Sequence, residues 1–213
     1  GHYWNENMIP YLSQSAGGRW FKFLLSNMLS VIPSDSIATV ADVGCGVGMK
    51  TAQMADYFSA AQVNGYDFSK SGILAAKKFH KQKNVHFYSK DITKAHNKTK
   101  FDLITAFDFL EHIEDWEGLL KDLIRVNGRY FMISAPVGRM RGYEPKIGHF
   151  RNYKRNELEN FMSSQGYRTV KTYYAGWPFY SPILRDLTNI FSKNYSEIPQ
   201  QQMGFLGRRM HDV

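Results

Sequence analysis

The sequence predicts an α/β fold, with a mainly parallel sheet and helices on both faces. Short apolar runs alternate with amphipathic helical segments from residue 37 to 174, the pattern of strands joined by crossover helices. The first run ends in the glycine-rich turn Gly44-Cys45-Gly46-Val47-Gly48. At 213 residues, 43% hydrophobic and 15% aromatic, the chain has material to fill one such core. No apolar run approaches the roughly 18 residues of a membrane span, and the sequence shows no leader of the charged-apolar-small kind. The single cysteine, Cys45, can form no internal disulfide and implies no structural zinc. Together these features point to a reducing cytoplasm.

Taken in order, 18–32 reads as a leading amphipathic helix with Trp20, Phe23, Leu24, Met28 and Leu29 at helical spacing. Residues 37–43 read as a buried strand and 49–58 as the helix after it. A second strand ends at Asp67, a third covers 84–88, the fourth begins at Phe101, and the fifth covers 128–135. A late helix over 154–165 is closed by Gly166, and 167–174 reads as a sixth strand. The expected organisation is a helical cap (1–36), a core (37–175) and an aromatic, helical extension (176–213), one domain overall.

The turn is built to hold a nucleoside cofactor. Its glycines let the backbone approach a ligand that any Cβ would push away, and the helix after it offers free N–H groups to a carboxylate. The dinucleotide fingerprint is G-x-G-x-x-G, whereas here the third glycine comes one residue early, at Gly48. Asp42, just before the turn, would repel a pyrophosphate and welcome an ammonium group. S-adenosylmethionine carries such a group. Asp67, at the end of the second strand, is placed to accept both ribose hydroxyls.

With an acid followed by G-x-G-x-G, the chain resembles the class I S-adenosylmethionine-dependent methyltransferases, which have a Rossmann-like fold. The run Phe101-Asp102-Leu103-Ile104-Thr105-Ala106-Phe107-Asp108-Phe109-Leu110-Glu111-His112-Ile113 is similar to the group that includes ubiquinone, natural-product and bacterial-glycan enzymes. The resemblance implies methyl transfer, with S-adenosylhomocysteine as coproduct. It implies cofactor contacts at Asp42, Gly44, Cys45, Gly46, Gly48, Asp67, Phe68, Asp91, Ile92 and Phe107. Asp91 also reads as a plain turn residue, and Cys45 as a small residue packed beside the glycines. His2, Trp4 and Arg19 resemble an N-terminal element of the glycan enzymes, which would bring Arg19 to the cofactor's methionine end. The family's sheet usually has a seventh, antiparallel strand, and nothing after Tyr174 reads as one. The expectation is therefore a longer native chain or a partner chain over the open edge.

Acceptor chemistry in open α/β sheets lies beyond the carboxyl ends of the strands, which points to the loop 136–153. Arg139, Arg141, Tyr143 and Arg151 there suit an anionic acceptor such as a phosphate-linked or acidic sugar. Removing a proton from an alcohol acceptor calls for a histidine near neutral pKa. Two stand nearby: His149 is the better base and His112 the better orienting group. Asp108 and Glu111 alone make a thin case for a metal, so none is expected. No N/D-P-P-Y/F follows the fourth strand, where Phe107-Asp108-Phe109 stands instead, which disfavours methylation of an amino group on DNA or on glutamine.

Net charge is +8. Residues 70–100 hold nine lysines against one acid, Asp91, while the rest of the chain balances. This segment reads as a solvated helix face guarding an edge strand, or as a surface for anionic lipid or nucleic acid. No arginine interleaves with aromatics there, as an RNA-reading surface prefers. The leading expectation is O-methylation of a sugar or secondary metabolite. The alternatives are an RNA methyltransferase using the lysine edge and a non-catalytic partner subunit of unknown oligomeric state.

Overall fold

The computed structural model describes residues 9, 16–94, 100–175, 182–183 and 185–191. Five strands form one sheet: β1 (Thr39–Val43), β2 (Gln62–Tyr66), β3 (Val85–Tyr88), β4 (Phe101–Phe107) and β5 (Asn127–Ser134). Every pairing is parallel, in the order β3-β2-β1-β4-β5. The helices are α1 (Ala16–Leu29), α2 (Met49–Tyr57), α3 (Lys70–Phe79), α4 (Trp116–Val126), α5 (Glu157–Ser164) and α6 (Arg185–Phe191). Right-handed crossovers put α2 and α3 on one face of such a sheet and α4 on the other. Strand order reverses between β1 and β4, the crevice where open α/β sheets bind ligands.

The described residues group into two compact units. The first runs to Phe109 and takes in Gly118–Ser134; the second holds Leu110–Glu117 and the described residues from Ala135 onward. In the first, β1 is the central strand, with Val40 facing Val63 on one side and Leu103 on the other. Crossover helices cover both faces of a parallel sheet, which is why β1 is buried from Val40 to Val43 and its side chains do not alternate between apolar and exposed polar. Val40, Val63, Leu103, Met54, Ala76 and Leu29 form the centre of the core with no exposed surface. In the second unit Val137 bridges Tyr153, and Trp116 meets the rings of Tyr153 and Phe161 edge-on at 5.2 and 4.9 Å between centroids.

Two expectations change. Leu25 and Leu29 of α1 join the core, but Trp20 and Phe23 stand 44% and 57% exposed and stack on each other at 5.7 Å. They lie on the stripe of the helix opposite the leucines, a choice that periodicity alone does not make. Residues 167–175 form no strand, and Val170, Tyr173 and Tyr174 are exposed; strand propensity needs a partner to become a strand. No seventh strand occurs among the described residues, and His2, Trp4 and 192–213 lie outside them. On the lysine-rich segment, Lys70, Lys77, Lys78, Lys81, Lys83 and Lys90 are all exposed around the edge strand β3.

Candidate active site

In the first unit, β1 stops where the Gly44 and Cys45 N–H groups both donate to the Tyr66 carbonyl at the end of β2, at 2.8 and 3.1 Å. The chain then turns through left-handed Gly44, Gly46 and Gly48, the last preceding α2. At Gly48 (φ +79°) an added Cβ would fall 2.5 Å from the Phe87 ring. Strain and a core clash therefore coincide there. Gly48→Ala is expected to lower the melting temperature and weaken cofactor binding together, read by thermal denaturation and calorimetry; an unchanged melting curve would show that Phe87 yields freely.

Asp67 is the hinge of the cradle. Its Oδ2 accepts the Gly46 N–H at 2.8 Å and its Oδ1 the Ser69 N–H at 2.7 Å, so the glycine turn is fastened to the end of β2. Burial raises its carboxyl above the usual range, while the two N–H donors pull the other way. Phe68 beside it is exposed. Asp42 sits differently from expectation. It is 2% exposed, with Oδ2 taking the Thr51 hydroxyl at 2.6 Å and Oδ1 the Thr105 hydroxyl at 2.8 Å. It stitches β1 to α2 and β4 from inside, and burial raises its carboxyl. The charge that distinguishes the turn from a pyrophosphate cradle is therefore spent on positioning it.

Asp91 accepts both the N–H and the hydroxyl of Thr93, at 2.9 and 2.7 Å, which is its turn-residue reading. Ile92 is buried. Phe107 belongs to the core, Arg19 is exposed on α1, and burial pushes the Cys45 thiol well up, as suits a packed residue.

Sequence reasoning missed Lys50 as a site residue. It opens α2, where a cation opposes the helix dipole, and its Nζ pairs with Asp108 Oδ2 at 2.6 Å. That unfavourable placement was the available signal. Asp108 leaves β4 in the left-handed region (φ +51°), held by its N–H to the Ser134 carbonyl at 2.9 Å and by the Ser134 hydroxyl at 3.0 Å. A non-glycine residue in this conformation stores strain of the kind that collects at functional sites.

The second unit carries the histidines. Leu110–His112 is a single 3₁₀ turn, and three ties bring the loop to it. The Phe150 N–H donates to the Glu111 carbonyl at 2.8 Å, His112 Nδ1 meets the Gly148 carbonyl at 3.1 Å, and Arg151 donates to the Glu114 carbonyl at 2.6 Å. His112 and His149 then stand edge to face, 4.7 Å between centroids. Glu111 is buried beside them, and one donor atom from each of the three side chains lies within 4.8 Å of the others. Burial first, and His112 second, push His149 down to about 4. It is thus a neutral imidazole at working pH and not the base of near-neutral pKa that was expected.

The arginines expected to face an acceptor are otherwise engaged. Arg141 is buried and pairs with Asp186 at 2.9 Å; Arg139, largely exposed, pairs with the same carboxylate. Arg185 pairs with buried Glu144 and has Tyr143 as a further partner. Glu144 also accepts the Arg141 N–H at 2.5 Å and Asn152 at 3.0 Å. The guanidinium groups chiefly hold the loop against α6.

Residues 34–193 match the family model of a methyltransferase domain. The chain belongs to this family. The family's cofactor is S-adenosylmethionine, and the residues present fit it: a carboxylate at Asp67 anchored to the turn, three left-handed glycines that let a ligand approach the backbone, and the N-terminus of α2 directly after them. A ubiquinone biosynthesis O-methyltransferase of Candida albicans is 37% identical over 115 residues, 51% of this chain and 35% of that protein. The chain spans between about a third and a half of the length of the curated relatives it matches. Among solved structures, magnesium protoporphyrin IX methyltransferase (ChlM) from Synechocystis PCC 6803, crystallised with SAH, aligns with a TM-score of 0.59 at 20% identity, covering 75% of this chain and 79% of that one. The [4+2]-cyclase SpnF aligns at 0.60 and 20% identity, covering 72% and 59%. These two likenesses establish the fold. A methyltransferase and a cyclase sharing it illustrate that fold alone does not fix the reaction.

Proposed function

We propose that this methyltransferase-family protein transfers the methyl group of S-adenosylmethionine to a hydroxyl oxygen of a small-molecule acceptor, a sugar or a secondary metabolite. The observation that carries the reading is the Glu111, His112 and His149 cluster, which the chain reaches directly from the exit of β4. The bound cofactor supplies a methyl group activated by a sulfonium. As the acceptor oxygen would bond to that carbon, the carbon–sulfur electron pair would pass to sulfur and the hydroxyl proton would pass to the neutral His149 imidazole. Asp67 and the glycine turn of the first unit hold the donor. His149, neutral and half-buried, receives the hydrogen bond of the acceptor hydroxyl, and the Gly148 carbonyl fixes the orientation of His112.

The O-methyltransferases among the relatives support oxygen as the acceptor atom. An anionic acceptor draws less support, because Arg141 is spent on Asp186. The lysines around β3 have the arrangement of a guarded sheet edge, which favours the small-molecule reading over RNA.

His149→Gln is expected to lower turnover about 100-fold and leave SAH affinity unchanged, measured by labelled-methyl incorporation into a panel of sugars, phenols and RNA alongside calorimetry. Cofactor binding with no incorporation into any acceptor would favour a non-catalytic scaffold; incorporation into RNA alone would reverse the choice of substrate class.

A further inference from the structure

We propose that Lys50 and Asp108 form the subsite that reads the zwitterionic amino-acid end of the cofactor, Lys50 taking its carboxylate and Asp108 its ammonium group. The inference rests on S-adenosylmethionine being the family's cofactor, and it adds contacts that Asp67 and the glycine turn do not supply. Its first support is place. Lys50 stands in the first turn of α2, which opens directly after Gly48, and Asp108 is the residue that leaves β4. β1 and β4 are neighbours at the point where strand order reverses, so the 2.6 Å pair between Lys50 Nζ and Asp108 Oδ2 spans the mouth of the crevice. Phe109, next in the chain, packs its ring on Gly44, where an added Cβ would fall 2.3 Å from it. The acid is thereby held beside the cofactor turn. Every one of these groups belongs to the first unit.

The second support is that the pair does little for stability. The Lys50 and Asp108 side chains are 33% and 45% exposed, and an ion pair so open to water contributes little. Against it stand a cation opposing the dipole at a helix N-terminus and a non-glycine residue at φ +51°. The fold nonetheless fixes both partners. Asp108 is held by the Ser134 carbonyl and hydroxyl, and the Lys50 ammonium lies over the Phe107 and Phe21 rings, 5.5 and 6.0 Å from their centroids. Two charges positioned against such opposition serve a ligand better than they serve the fold.

The third support is chemical. One carbon of the cofactor carries both a carboxylate and an ammonium group, so its best partner presents one charge of each sign close together. Beyond the bonds already made, the Lys50 ammonium keeps N–H donors and each Asp108 oxygen keeps a lone pair. The pair can therefore bind the zwitterion without first coming apart. The free N–H groups that open α2 add to the carboxylate side. A glycine turn alone would accept adenosine derivatives that lack an amino-acid end; the pair makes that end a requirement.

Calorimetry of the full chain tests this with SAH, its decarboxylated and deaminated analogues, and methylthioadenosine, which lacks the amino-acid end altogether. The unaltered chain should bind SAH at least about tenfold more tightly than any of the others. Lys50→Met should weaken SAH about tenfold or more and leave the decarboxylated analogue within about twofold of its original affinity. Asp108→Asn, a residue equally at home at positive φ, should weaken SAH likewise and spare the deaminated analogue. Methylthioadenosine should bind the unaltered chain and both variants alike, which reports folding and an intact ribose site. A uniform loss across all the ligands would show a merely structural pair and overturn the subsite; so would equal affinity of the unaltered chain for SAH and methylthioadenosine. Binding of none of them would remove the cofactor together with the subsite, whereas the matched losses without any methyl transfer would keep the subsite and remove only the proposed function.

Discussion

Asp67→Ala is expected to weaken SAH binding at least about 100-fold. The carboxylate does two jobs that both fail on truncation. It holds the Gly46 and Ser69 N–H groups at 2.8 and 2.7 Å, and in the proposed cofactor site its remaining lone pairs would accept the ribose hydroxyls. Hydrogen bonds to a charged group contribute about 1.5–3 kcal/mol each, so losing two from the ligand alone corresponds to about 3–6 kcal/mol, two orders of magnitude or more in affinity. Calorimetric titration with SAH measures this directly. A dissociation constant within a few-fold of the original would mean that Asp67 only props the turn. Asp42→Asn is the informative control. Its carboxylate is sealed inside and satisfied by Thr51 and Thr105, so stability should fall well before affinity does.

The contrast between these two acids shows where the sequence was legible. All five strands fall within a few residues of expectation, because an apolar run buried between neighbours is a local signal. The glycine turn is as readable, since left-handed φ and close packing restrict the residue type at Gly48. Asp42 was misassigned because motif logic sees a charge beside a ligand turn but not which way it points; only the positions of Thr51 and Thr105 reveal that it points inward. Arg141 was misassigned for a related reason. A guanidinium in a long loop suits an anion, and the anion turned out to be Asp186 on α6. The convergence of Glu111, His112 and His149 lay beyond sequence reading altogether, because it depends on backbone ties between the 3₁₀ turn and a distant loop. The sixth strand failed in the opposite direction, alternation in Tyr167–Tyr174 being necessary for a strand but not sufficient.

Glu144→Gln is expected to destabilise the second unit by about 3–5 kcal/mol, the usual cost of leaving one charge of a buried pair without its partner. Arg185 and Glu144 are 5% and 2% exposed, so water cannot replace the lost carboxylate. The same carboxylate holds the Arg141 N–H and Asn152, and Arg185 reaches the Val137 carbonyl at 3.2 Å; the loop 136–153 should therefore loosen as a piece. Hydrogen exchange at the Gly138 and Tyr153 amides, bonded within this loop, should rise steeply. Exchange at the amides of β1 should change less, because those bonds lie within the first unit. Replacing both partners, as Glu144→Leu with Arg185→Leu, should recover part of the loss, since an apolar pair carries no desolvation penalty. The pH dependence has a definite sign. Burial alone would raise the Glu144 carboxyl, but the Arg141 N–H, Arg185 and Asn152 together hold it below its ordinary 4.5. A group whose folded pKa is depressed contributes its full stability above the unfolded value and loses it as pH falls through the folded value. Protection of the loop should accordingly be flat near neutrality and fall only below about pH 4.5, and Glu144→Gln should abolish that acid step. An unchanged acid step in the variant would assign it to another carboxylate.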